Sequence, residues 1–192
     1  MLTVPILFAM LAAQPVPPPT AVPGCPVMNA ERLPLASRKS PLDSISFMVG
    51  GREVKVCYGR PSARGRTMIG GDAVPYGKIW RTGANEPTTI HADGPITIAG
   101  VTVPAGSYSL YTIPGEREWT VIVNRSTSQW GHESQYTKDI EAREAGRGKA
   151  AAERTNEHVE QFTIRAEPSG PGATLVLEWE TTRVRIPVAP GR

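Results

Sequence analysis

The stretch ITIAGVTVPAGSYSLYTIPGEREWTVIVN, residues 96–124, alternates apolar and polar residues in short runs and ends each run on Gly or Pro. Alternation with a period of two sends successive side chains to opposite faces, which is the pattern of a half-buried strand. Ile96-Thr97-Ile98 and Val101-Thr102-Val103 flank Ala99-Gly100, where glycine supplies the positive φ of a two-residue hairpin turn. Pro104-Ala105-Gly106 then leads into a strand over 107–113, and Pro114-Gly115 into another over 119–124, so neighbouring strands are expected to run antiparallel.

The same signature extends outward. Val54, Val56 and Tyr58 share one face of a run whose other face carries Lys55 and Cys57. Runs over 162–166, 174–179 and 183–188 follow near the C-terminus, the first two separated by Pro168-Ser169-Gly170-Pro171-Gly172. Leu175, Leu177 and Trp179 alternate on one face, so Trp179 is expected in the core. About nine such runs lie beyond Ser46, too closely spaced for intervening helices. The reading is all-β: an antiparallel β-sandwich or barrel-like single domain over residues 38–190, with one long Gly-rich loop. One segment departs from it. Ala142 to Val159 is rich in Ala, Glu, Arg and Lys, which predicts either a short surface helix around 149–158 or a solvated loop insertion.

Composition fits one soluble domain: 192 residues, 40% hydrophobic and 20% charged. Gly and Pro, 19 each, stay below the share of about a quarter that marks low-complexity chains. The net charge of +3 is too mild to argue for nucleic-acid binding, and none is expected.

The first thirty residues contain no Asp, Glu, Lys or Arg. Leu2 to Ala13 is an apolar run of signal-peptide length, short of the roughly 18 residues of a transmembrane helix, and it ends in small residues suited to cleavage. Residues 1–13 therefore read as a signal peptide and 14–37 as a stiff Pro-rich linker, with the protein exported to the periplasm or the extracellular space. No transmembrane span is expected. Cys25 and Cys57 leave three readings open: free or unrelated thiols, a bridge between linker and first strand, or a lipoprotein anchored through Cys25.

The connection YGRPSARGRTMIGGDAVPYGKIWRTGANE, residues 58–86, is too long for a simple hairpin loop, and loops of that length in compact domains are usually functional or disordered. Arg60, Arg64, Arg66, Lys78 and Arg81 outnumber Asp72 and Glu86. Guanidinium forks match carboxylate, phosphate and sulfate, so Arg60, Arg66 and Arg81 are candidate charge contacts for a small anionic or carbohydrate-like ligand, or for a partner. Tyr76 and Trp80 would offer a stacking face, and Asn85 with Glu86 would bond hydroxyls. The alternative is that the arginines bond loop carbonyls and brace a structural envelope module.

Tyr58-Gly59-Arg60-Pro61-Ser62, Gly65-Arg66, VPYGKIWRTGANE (74–86), PAGSYSLYTIPG (104–115), Glu118-Trp119 and Gln129-Trp130-Gly131 together resemble the bacterial domain of unknown function family 2911, DUF2911. Six motifs in one order over about residues 40–188 carry the resemblance. It implies an exported, mostly β domain and supplies no catalytic residues. Asp72-Ala73 makes one segment a residue longer than the family's usual one, Gly146 to Glu157 reads as an insertion, and His132 replaces a small residue.

Enzyme markers are sparse. His91, His132 and His158 lack metal-ligand spacing, so neither metal nor cofactor is expected. The chain has no G-x-S-x-G elbow, Walker lysine motif or dinucleotide fingerprint. The enzyme alternative is an envelope enzyme acting on a glycan or ester with Glu86 as acid or base, paired with a second carboxylate such as Asp139.

Overall fold

The computed structural model describes residues 24–191. The expected signal peptide and the start of the expected linker lie outside them. The protein is all-β: of the described residues 54% lie in strands and isolated bridges and 6% in helix. Nine strands run β1 (Leu42–Val49), β2 (Arg52–Gly59), β3 (Thr88–Ala92), β4 (Ile96–Ile98), β5 (Val101–Val103), β6 (Gly106–Ile113), β7 (Glu118–Asn124), β8 (Glu144–Ser169) and β9 (Gly172–Pro190). They form one antiparallel sheet in the order β1-β2-β3-β6-β7-β8-β9-β4-β5. The sheet curls until the β1–β2 turn meets the β8–β9 turn, where the Gly50 N–H donates to the Pro171 carbonyl at 2.6 Å. Of the two expected architectures, a single sheet rolled on itself is the barrel-like one.

Alternation fills the roll. Val54, Val56 and Tyr58 of β2 meet Ile90 of β3, Leu110 of β6, Trp119, Val121 and Val123 of β7, and Leu175, Leu177 and Trp179 of β9 in one buried cluster. The hairpin at 96–103 forms with Ile98 opposite Val101 and with Ala99 and Gly100 at φ of 48° and 86°. Both central residues are at positive φ, as a tight hairpin turn requires.

Three expectations are corrected. Residues 142–159 hold no helix beyond the end of the four-residue α1 (Lys138–Glu141); instead 144–151 pair with β7 as the start of β8. Helix propensity differs by only tenths of a kcal/mol among ordinary residues, and tertiary contacts override it here. The β4–β5 turn lies against this strand so closely that a Cβ on Gly148 would stand 1.9 Å from the Ala99 carbonyl oxygen, and Ala150 is buried beside it. Gly146 and Gly148, which interrupt the helical pattern, are what let the hairpin approach. Second, the runs at 174–179 and 183–188 are one strand, bent where Glu180 takes φ 52°. Third, β3 (Thr-Thr-Ile-His-Ala) is entirely buried, and its polar residues hid it from an alternation pattern.

Cys25 and Cys57 form a disulfide, so in this form Cys25 has no thiol to carry a lipid. Of the stretch read as a linker, 25–37 is fastened to the domain by that bridge and by the Met28 N–H, which donates to Glu86 at 2.7 Å. Among the described residues no helix is long and apolar enough to cross a membrane.

Candidate functional site

The connection from β2 to β3 is fastened to β8 at Ser62 and Ala63 and to β6 at Trp80. Trp80 anchors it. The Trp80 N–H donates to the Thr112 carbonyl at 2.7 Å and its carbonyl accepts from the Thr112 N–H at 2.9 Å, which adds the loop to β6. The indole is buried against Phe162 (5.2 Å between centroids), Trp179 (5.9 Å) and Trp119 (6.0 Å). Trp80 is thus a core residue and presents no stacking face.

Most polar candidates are engaged within the fold. Arg60 pairs with Asp43 at 3.1 Å and donates to Thr163 Oγ1 and the Phe162 carbonyl. Arg81 grips both oxygens of Glu133, Nε to Oε1 at 3.1 Å and Nη2 to Oε2 at 3.0 Å. Asn85 donates to the Ser40 carbonyl at 3.0 Å. Glu86 is 3% exposed and meets the fully buried Arg38 side chain, with Nη1 to Oε2 at 2.7 Å and Nη2 to Oε1 at 2.9 Å. Its Oε1 also accepts from the Met28 N–H. Both carboxylate oxygens are held by donors inside the fold, which corrects the idea of Glu86 as an acid or base facing a substrate.

Arg64 and Arg66 differ from these. Arg66 donates to the carbonyls of Ala63 and Ser62 at 3.0 and 3.2 Å, and Arg64 donates to the Lys39 carbonyl at 3.2 Å. Carbonyl dipoles orient a guanidinium without cancelling its charge. With Lys39, Ser40, Pro61 and Ser62, these arginines line an open hollow of about 470 Å³ that has no carboxylate in its wall. The nearest acid in the hydrogen-bond network is Glu160, whose Oε1 accepts the Arg64 N–H at 2.7 Å. That bond, with help from His158, holds the Glu160 carboxyl below its ordinary range. The hydroxyls of Ser40 and Ser62 make no hydrogen bond among the described residues.

The seven candidates therefore do not converge. Arg66 lines the basic hollow and Tyr76 lines a different cavity of about 540 Å³ with Gly115, Glu116, Arg117, Ala152, Glu153, Arg154 and Thr182. Arg60, Trp80, Arg81, Asn85 and Glu86 hold the loop in place. Lys39 had no distinguishing sequence signal, because it lies at the edge of the expected linker. Arg64 was visible in the loop's basic excess.

A curled antiparallel sheet, a disulfide-fastened N-terminal strap and a long basic loop define a mostly β domain. The chain belongs to the DUF2911 family of proteins of unknown function, whose family model matches residues 40–188. No curated protein and no solved structure matches the chain.

Proposed function

We propose that this is an exported domain that binds a small anionic ligand, a phosphate, sulfate or carboxylate, in the hollow formed by Lys39, Arg64 and Arg66. One observation carries the reading: three cationic side chains line a single cavity whose wall contains no acid. An oxyanion entering it would gain charge-assisted hydrogen bonds from cationic groups that form no ion pair among the described residues, Glu160 being the acid closest to Arg64. The serine hydroxyls at the same place can donate to remaining oxygens. Export is supported by the apolar run at 2–13 and by the Cys25–Cys57 bridge, since disulfides persist mainly in oxidising compartments.

Calorimetric titration with inorganic phosphate, sulfate and galacturonate tests the site. Saturable binding of at least one, weakened tenfold or more by Arg64→Ala or Arg66→Ala and falling with salt, is the expected result. Equal binding by wild type and variants, or none to any of the three, would overturn it in favour of the structural envelope module, which the braces at Arg60, Arg81 and Glu86 support. For export, mass spectrometry of the mature protein from its native host is expected to show loss of roughly the first 13 residues. An intact N-terminus in the cytoplasmic fraction would refute this.

A further inference from the structure

Tyr76 is an aromatic side chain that the fold holds outward. It is 43% exposed, and no other aromatic stands among the exposed large apolar side chains of the described residues. Its position is nevertheless tightly specified. Val74, two residues before, is buried, and its carbonyl accepts the Gly70 N–H at 2.9 Å. Gly70 stands at φ 81°, and a Cβ there would lie 2.6 Å from Tyr76 Cε2 and 2.8 Å from Cζ, so the ring rests on a glycine that no larger residue could replace without moving it. Gly77, at φ 72°, carries the chain through the turn and donates its N–H to the Pro114 carbonyl at 2.8 Å. The turn is thus tied to the β6–β7 connection, which forms another wall of the same cavity.

The polar lining is balanced in charge, with Glu116 and Glu153 against Arg117 and Arg154. Glu153 lies 3.6 Å from both Arg183 and Arg185, and Arg154 donates to Thr181 Oγ1 at 3.2 Å. The side chains of Glu116, Arg117 and Thr182 make no hydrogen bond or ion pair among the described residues. A bare anion would meet two carboxylates here. A neutral ligand whose hydroxyls both donate and accept would find both kinds of partner, and its apolar C–H face would find the ring. The volume, about 540 Å³, falls in the range of roughly 300–1,000 Å³ of small-molecule sites.

We propose that the Tyr76 cleft is a binding subsite for a neutral sugar ring of a glycan chain, with Tyr76 as the stacking platform and Glu116, Arg117 and Thr182 as hydroxyl contacts. The subsite is separate from the basic hollow and shares no lining residue with it. Affinity electrophoresis through gels containing laminarin, galactomannan or soluble chitin fragments, with titration of free glucose and N-acetylglucosamine, tests it. The expected result is retardation by at least one neutral polysaccharide, lost at least tenfold in Tyr76→Ala, kept in Tyr76→Phe, and reduced in Arg117→Ala. The Arg117 variant guards against misreading a loop that collapses when the ring is removed. Binding confined to free monosaccharides would move the source from a chain to a metabolite and overturn the glycan assignment. Absence of retardation in all three gels, or retardation unchanged by Tyr76→Ala and Arg117→Ala, would overturn the subsite. Arg66→Ala is expected to leave retardation unchanged while weakening anion binding tenfold or more, so either site can fail without the other.

Discussion

Arg81 and Arg66 stand in one loop, fifteen positions apart, and meet opposite fates. Arg81 closes on a carboxylate, as do Arg60 on Asp43 and Arg38 on Glu86. Arg66 and Arg64 close on carbonyls alone. The first group turns the loop into part of the domain; the second leaves positive charge at a cavity. The difference teaches that an excess of arginine in a loop has no single meaning: the partner, and whether it carries charge, separates a brace from a cation left at a cavity.

The sharpest way to break this comparison lies at its most buried member. Removing one partner of a buried ion pair leaves an uncompensated charge and typically costs about 3–5 kcal/mol. Arg38 and Glu86 are both almost without solvent contact, so Glu86→Ala should destabilise by that amount in urea unfolding. A loss below about 1 kcal/mol would place the pair with exposed ones and remove the distinction. The bridge that holds the same strap comes next. Cys25 and Cys57 are 32 residues apart, and loop-closure entropy for that length gives about 4 kcal/mol as an upper expectation. The double variant Cys25→Ser with Cys57→Ser should lose about 3 kcal/mol if the bridge, rather than Glu86 alone, fastens the strap. No change on reduction would mean that Arg38–Glu86 suffices.

What the sequence made legible follows the reach of each signal. The hairpin at 96–103 and the burial of Trp179 rest on neighbours within a few residues, and both are as expected. The start of β8 misled because its Ala, Glu, Arg and Lys content favours helix, whereas Gly146 and Gly148 are small against Val101 and Ala99, some fifty residues earlier in the chain. Site residues were visible as a type and invisible as a role. Arg60 finds Phe162 across 102 positions, Arg81 finds Glu133 across 52, and Glu86 finds Arg38 across 48. No local pattern encodes those partners, so an arginine that pairs with a carboxylate and one that bonds only carbonyls look alike until the sheet curls. Tyr76 stands out in the sequence as an aromatic among turns, but the cavity it lines depends on Arg117 and Thr182 from two other parts of the chain.

A smaller effect tests the middle of the series. The Arg81–Glu133 pair is bidentate but partly exposed, at 19% and 30% for the two side chains, so water screens much of its attraction. Arg81→Ala is expected to cost about 1 kcal/mol in thermal or urea unfolding, well short of Glu86→Ala. A loss equal to that of Glu86→Ala would show that the pair acts as a buried brace despite its exposure. No loss at all would move Arg81 out of the braces and back among the candidate ligand contacts.

The smallest stability effect belongs to the hollow, and it carries the largest consequence for binding. Arg64 and Arg66 are exposed side chains; water can replace them at the Lys39 and Ser62 carbonyls, and the carbonyl of buried Ala63 keeps the Arg66 backbone N–H at 3.2 Å. Surface substitutions of this kind usually stay within about 0.5 kcal/mol, so Arg66→Ala should unfold almost as the wild type does in buffer without added anions. The contrast should appear when ligand is present. An anion that binds only the folded state adds about 2.7 kcal/mol of stability at a hundred times its dissociation constant, and a variant that has lost the site gains none of it. Melting curves with and without saturating inorganic phosphate or galacturonate should therefore separate wild type from Arg66→Ala only in the presence of the anion. Arg81→Ala should show the reverse, lower than wild type in both and shifted upward by the anion as wild type is. If Arg66→Ala were the less stable protein without any ligand, its carbonyl bonds would be structural and the two halves of the loop would be one continuous brace.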